Sequence, residues 1–155
     1  SKIQVIPVVS ANEMYEEAQK YFDNLDIIVF AEAVADYRPI SSVDHKIKKQ
    51  DDHLTIQLKK NVDIAASFGS FKKDRQISVG FALETRNEEE YAKEKLKKKN
   101  FDIVILNSLA EEGAGFKYDT NKIKIIDKNF QIASFEMKSK TEVANDIVHA
   151  IEHLL

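Results

Sequence analysis

Three apolar runs do most to limit what this chain can become: Asp26-Ile-Ile-Val-Phe30 continuing into Ala31, Ile77-Ser-Val-Gly-Phe-Ala-Leu83, and Phe101-Asp-Ile-Val-Ile-Leu106. Runs that are apolar at nearly every position do not suit a strand with one wet face. They suit strands covered on both faces in a parallel sheet. Between the second and third, residues 87–99 are rich in Glu, Lys, Ala and Leu, which favour helix. Strand, helix, strand is the unit that right-handed crossovers assemble into parallel sheets.

The remaining pattern decorates that frame. Ile3 to Val9 is a short β-rich run, and Ser10 follows with Glu13 three residues on, the spacing of a capping box that opens a helix reaching about Phe22. Lys46-Ile-Lys-Lys49 and Leu54-Thr-Ile-Gln-Leu58 alternate on either side of the polar Gln50-Asp-Asp-His53, as in an antiparallel hairpin. Asn121 to Asp127 and Gln131 to Met137 repeat the pattern across Lys128-Asn129. A final helix opens at Thr141, with Val143, Ile147, Ile151 and Leu154 at steps of three or four. No repeat, low-complexity tract or linker interrupts the chain, so residues 1–155 read as a single α/β domain: a Rossmann-like three-layer sandwich with a mostly parallel sheet and antiparallel hairpin extensions.

Composition removes several function classes. The chain has no Cys, which excludes disulfides, thiolate nucleophiles and Cys-based zinc sites within it. A net charge of −3 argues against a nucleic-acid-binding surface, and no apolar run approaches the roughly 18 residues of a membrane span. His45, His53, His149 and His153 show no zinc spacing, so no metal ligands are assigned. The chain starts Ser-Lys-Ile, without Met or a targeting pattern. It is expected to be a fragment of a longer cytoplasmic protein.

Ligands of open α/β sheets bind beyond the carboxyl ends of the parallel strands. Residues falling there are Glu32 to Asp36 with Tyr37-Arg38-Pro39, then Phe81 with Glu84-Thr85, and Asn107. Asn61-Val-Asp-Ile-Ala65 reads as the start of a short helix, either simply capped or presenting its unpaired N–H groups to a phosphate. Tyr91, Lys95 and Lys99 recur at helical spacing on one face, aimed at a pocket or merely solvated. In an alternating strand Lys46 and Lys48 share one face, facing inward or protecting an edge. Gly113-Ala-Gly-Phe116, with Asp119-Thr-Asn121 after it, is a connection or a lid. No Gly-rich phosphate cradle is present.

Taken in order, AVADYRP at 33–39, KIKK at 46–49, NVDI at 61–64, VGFALET at 79–85, KLKKKNFDIVILN at 95–107 and GAGFKYDTN at 113–121 resemble the phosphopantothenoylcysteine synthetase domain of bacterial coenzyme A biosynthesis. That domain is commonly the C-terminal half of a bifunctional protein whose N-terminal half is a flavin-dependent phosphopantothenoylcysteine decarboxylase. The resemblance implies a ligase that activates 4'-phosphopantothenate with CTP, releases pyrophosphate, and lets the amine of cysteine displace CMP. It implies CTP contacts at Phe30, Ala31, Glu32, Asp36, Lys46, Val62, Asp63, Ile64, Ala65, Phe81, Lys95 and Lys99, with Lys46 catalytic.

The resemblance further implies Mg²⁺ held mainly by phosphate oxygens and water, a homodimer through the hairpin extensions, and FMN only in a fused decarboxylase domain. Glu32 stands where the family often has Ala, so only a main-chain contact carries over there. Val62 stands where it frequently has Pro. The family's Gly-rich first strand-turn-helix, with its Asn-containing stretch, has no counterpart in these residues. This chain alone is therefore expected to fold around the nucleotide half of the site with weak or incomplete synthetase activity. The alternative is a non-catalytic nucleotide-binding or dimerisation module.

Overall fold

A computed structural model describes residues 3–41, 43–47, 53–84, 87–108 and 118–155. The elements in chain order are α1 (Ala11–Phe22), β1 (Ile27–Phe30), β2 (Tyr37–Pro39), β3 (Leu58–Lys60), α2 (Ile64–Phe71), β4 (Ile77–Glu84), α3 (Glu88–Lys98), β5 (Ile103–Ser108), β6 (Thr120–Asn121), β7 (Ile123–Asp127), β8 (Ile132–Ser134), β9 (Lys138–Ser139) and α4 (Lys140–Glu152). The chain divides into two compact units, one of residues 1–23 and 32–64, the other of residues 24–31 and 65–155.

The second unit holds a five-stranded sheet in the order β1-β4-β5-β7-β8. The three apolar runs supply β1, β4 and β5, all parallel, and β7 and β8 add antiparallel strands to one side. Side chains alternate along each strand, so the two faces bury different sets. Ala82, Val104, Leu106 and Ile126 meet Ala92 and Leu96 of α3 on one face. Ile77, Val79, Ile103, Ile105, Ile123 and Ile125 meet Val143 and Ile151 of α4 on the other. Helix, sheet, helix is the expected three-layer α/β arrangement.

The amino ends of the strands are locked by polar groups. Asp102 Oδ2 accepts from Lys72 Nζ at 2.7 Å and from Ser78 N at 2.8 Å, and the Ser78 hydroxyl donates to Asn100 O at 2.9 Å. Gln76, 1% exposed, donates to Leu25 O at 2.9 Å and accepts from Lys73 N at 2.9 Å. Two glycines permit close approach on the α3 face. A Cβ on Gly80 would stand 2.0 Å from the Phe101 ring, and one on Gly69 would stand 2.1 Å from Lys99 O.

Several sequence expectations are corrected. Residues 3–8 form no strand, and Ile3 and Val5 are exposed, because an extended run becomes a strand only with a partner to complete its hydrogen bonds. β1 forms where expected but its faces are only partly covered, with Val29 48% exposed. The first unit contains an antiparallel pair, but its strands are β2 and β3, in the register Tyr37↔Lys60 and Pro39↔Leu58, with Ile40 N donating to Gln57 O at 3.0 Å. Lys46 is exposed and irregular rather than in a strand, and residues 54–57 are not strand either. Of the expected second strand only Leu58 joins the ladder, opposite Pro39.

The second hairpin forms as expected, trimmed to β7 and β8, and Asp127 Oδ1 braces its turn by accepting from Asn129 N and Gln131 N. β6 and β9 pair separately. Helix α4 begins one residue before Thr141, because Ser139 and Glu142 form the capping box there. Lys48, Lys49, Thr85 and the Gly113–Phe116 loop lie outside the described residues.

Candidate functional site

In the second unit, β1 stops opposite Gly80 while β4 and β5 continue in register to Glu84↔Ser108. On the β1 side, the main chain from residue 81 to 84 therefore has no strand neighbour among the described residues. This step lies at the carboxyl edge, the end of an open α/β sheet at which ligands bind. Phe30, Ala31 and Phe81 converge on it. The Phe30 ring is packed against Phe68 and Phe101, at centroid distances of 6.2 Å and 5.6 Å. What Phe30 offers a ligand is main chain. Phe81 packs on the α4 face, because it alternates with Ala82, which faces α3.

Helix α3 leaves the carboxyl end of β4 and returns to the amino end of β5, so Lys95 lies in its final turn and Lys99 is its C-cap. Both are half-buried, and Lys99 N donates to Lys95 O at 3.0 Å. The two lysines and the Phe81 ring thus stand on opposite faces of the sheet, a separation that the linear motifs do not reveal. Ala65, also in this unit, is 3% exposed, so its side chain belongs to the core and its N–H is what it can present.

The first unit gathers another group. Asn61 N donates to Asp36 O at 2.8 Å, and Asn61 Nδ2 donates to Ala35 O at 2.7 Å. One asparagine thereby fastens the Ala35-Asp36 turn to the segment Val62-Asp63-Ile64 that opens α2, joining residues 26 positions apart in sequence. The first turn of α2 carries no acidic side chain of its own, and Asp63 stands directly before it. Asn61 Oδ1 and Arg38 Nε are buried there and have no hydrogen-bond partner among the described residues. Sequence reasoning weighed Asn61 as a cap and missed this stapling role, for which the only signal was its place at the head of NVDI. Glu32 and Lys46 are exposed members of the same unit.

Elsewhere, a cleft of about 310 Å³ opens at the start of α3 among Asn87, Glu88, Glu89, Glu90 and Lys124. Lys124 Nζ bonds Glu89 Oε1 at 2.6 Å and holds that carboxyl below its usual value. Three glutamates against one lysine make it a poor receptor for a triphosphate. Among the described residues, no group of three or more His, Asp or Glu is placed to hold a metal, and no helix is long and apolar enough to cross a membrane.

The whole chain, residues 1–155, matches the family model described as the DNA/pantothenate metabolism flavoprotein C-terminal domain. A prokaryotic protein named cysteine/cysteine sulfinic acid decarboxylase is 49% identical over 149 residues, which are 96% of this chain and 42% of that protein. The coenzyme A biosynthesis bifunctional protein CoaBC of Bacillus subtilis (strain 168) is 42% identical over 151 residues, 97% of this chain and 37% of that protein. The chain thus spans less than half the length of either curated relative. The crystal structure of the C-terminal domain of a CoaBC protein superposes with a TM-score of 0.74 at 34% identity, covering 96% of this chain and 66% of that one. On the match over its full length, the chain belongs to the DNA/pantothenate metabolism flavoprotein C-terminal domain family.

Proposed function

We propose that the chain serves phosphopantothenate–cysteine ligation in coenzyme A biosynthesis and that it uses CTP. The observation that carries this reading is the 42% identity to the Bacillus subtilis CoaBC protein across 97% of the chain. In the proposed reaction a carboxylate oxygen of 4'-phosphopantothenate attacks the α-phosphorus of CTP. The bond to the leaving pyrophosphate breaks and an acyl-cytidylate forms. The cysteine amine then attacks the acyl carbon, loses a proton as the amide forms, and releases CMP.

Lys46 supplies a compact cation to the charge that builds at the α-phosphate. The N–H groups from Val62 to Ala65 receive phosphate oxygens. Main chain at Phe30, Ala31 and Glu32, together with Asp36 and Phe81, contacts the nucleotide; Lys95 and Lys99, which stand toward the amino end of β5, are assigned to its phosphate charge by the resemblance alone. Mg²⁺ would be held by phosphate oxygens and water.

A second reading is favoured by the decarboxylase name of the 49% identical relative. In it the chain is a non-catalytic nucleotide-binding or dimerisation module of a decarboxylase. One titration followed by one assay separates them. Saturable CTP binding lost in Lys46→Gln and in Lys95→Ala, with pyrophosphate released once 4'-phosphopantothenate and cysteine are added to the full-length protein, is expected for the ligase. Binding without pyrophosphate release selects the module, and no binding defeats the CTP assignment altogether.

A further inference from the structure

The proposed reaction uses no residue of the GAGFKYDTN motif, and the last of them has a distinct place in the structure. Asn121, in β6, is 8% exposed, and its carboxamide is spoken for at both ends. Its Oδ1 accepts from Lys122 N at 3.0 Å, and its Nδ2 donates to Asn107 Oδ1 at 3.0 Å. A backbone N–H can only donate, so the first bond decides which end of the Asn121 amide is oxygen. That in turn requires Asn107 to accept through its own oxygen. The Asn107 amino group is left pointing elsewhere, with no partner among the described residues.

Asn107 stands in the last turn of alternation before β5 ends, paired to Leu83 on one side and Ile123 on the other, so its backbone direction is fixed. It shares the α4 face with Ile103 and Ile105, the face on which Phe81 also packs. Phe81 is opposite Ile105, two residues back along β5. The half-buried Asn107 amide and the Phe81 ring are therefore neighbours on one face at the carboxyl edge.

We propose that Asn121 is a positioning residue: it holds the Asn107 carboxamide with its amino group toward the ligand, so that the edge presents a donor to an acceptor oxygen of the nucleotide. The inference rests on the CTP reading above. Asn121→Asp tests it without emptying the site. An aspartate still accepts from Lys122 N but cannot donate to Asn107, whose amide turns over and presents its oxygen instead. Asn107→Asp produces the same reversal directly, retaining an oxygen for Asn121.

In the full-length protein both variants should weaken CTP binding by roughly tenfold to a hundredfold, the loss expected when a hydrogen bond to a charged acceptor is removed. KM for CTP should rise by a similar factor. Asn121→Ala, which leaves Asn107 unoriented, should fall between them and the unaltered protein. Repeating the titration with inorganic tripolyphosphate locates the acceptor: a loss there too assigns it to the phosphate chain, and a loss with CTP alone assigns it to base or sugar. Folded Asn121→Asp that binds CTP as the unaltered protein does, with only its melting temperature lowered, makes Asn121 merely structural and overturns the proposal. Failure of the unaltered protein to bind CTP overturns the CTP reading and this inference with it.

Discussion

Gly80 shows how one missing methyl group shapes the sheet. It lies at the level where β1 ends, and the space its Cβ would fill is occupied by the ring of Phe101, itself 4% exposed. Phe101 in turn packs on Phe30, so the glycine lets two aromatic rings close the α3 face beneath the candidate edge. Gly80→Ala should destabilise the protein by about 1–3 kcal/mol, the usual cost of overpacking a filled core. A denaturation midpoint that falls without a change in slope would show it. Phe101→Leu in the Gly80→Ala background should recover part of the loss, because the ring rather than the main chain is the obstacle. If the double variant is less stable than the sum of the two single changes, that account is wrong.

At the scale of elements, the caps decide where helices begin. Ser139 accepts from Glu142 N, while the Glu142 carboxylate accepts from Ser139 N at 3.0 Å and from its hydroxyl at 2.6 Å. The hydroxyl and the backbone N–H hold the Glu142 carboxyl below its ordinary value. A carboxyl depressed by folding stabilises the native state above its unfolded titration, and that contribution disappears as pH falls through the folded value. The α4 cap should therefore weaken only in acid, below the ordinary glutamate range, and Glu142→Gln should remove that part of the acid sensitivity in pH-dependent thermal melts. Ser139→Ala should cost about 0.5–2 kcal/mol at neutral pH, as loss of a serine cap does. An unchanged melting temperature would mean that β9 alone sets the start of α4.

On the scale of the whole molecule, the first unit exposes an unusual amount of apolar side chain. Tyr37, Ile40, Ile56 and Leu58 are 58%, 51%, 61% and 54% exposed, and they lie in or beside β2 and β3. Soluble chains rarely leave such residues together in water without a partner surface. The homodimer contact that the family resemblance implies through the hairpin extensions would cover this face. Sedimentation equilibrium should report a dimer for the full-length protein and a monomer once Ile40, Ile56 and Leu58 are all changed to Ser. A dimer that survives all three changes must use another surface.

Much of this molecule was written in local patterns. The unbroken apolar runs determined β1, β4 and β5 as parallel strands, since a strand with no polar face favours a covered sheet; β4 and β5 lie inside it, whereas β1 forms its edge and is only partly covered. The Ser10 and Glu13 spacing determined α1, and the helix formers from residue 88 determined α3. These signals are short-range and repeat with the period of the element they specify. The first unit was less legible: the alternation near Lys46 marked a strand that did not form, and Tyr37–Pro39, too short to show a period, formed one with Leu58–Lys60. Nor could sequence show that Asn61 would fasten Asp36 to the start of α2, that Lys99 and the Phe81 ring would stand on opposite faces, or that Asn121 would turn the Asn107 amide. Each depends on which residues the packed chain brings side by side, and a hydrogen bond between positions 14 or 26 residues apart leaves no periodic trace in the sequence.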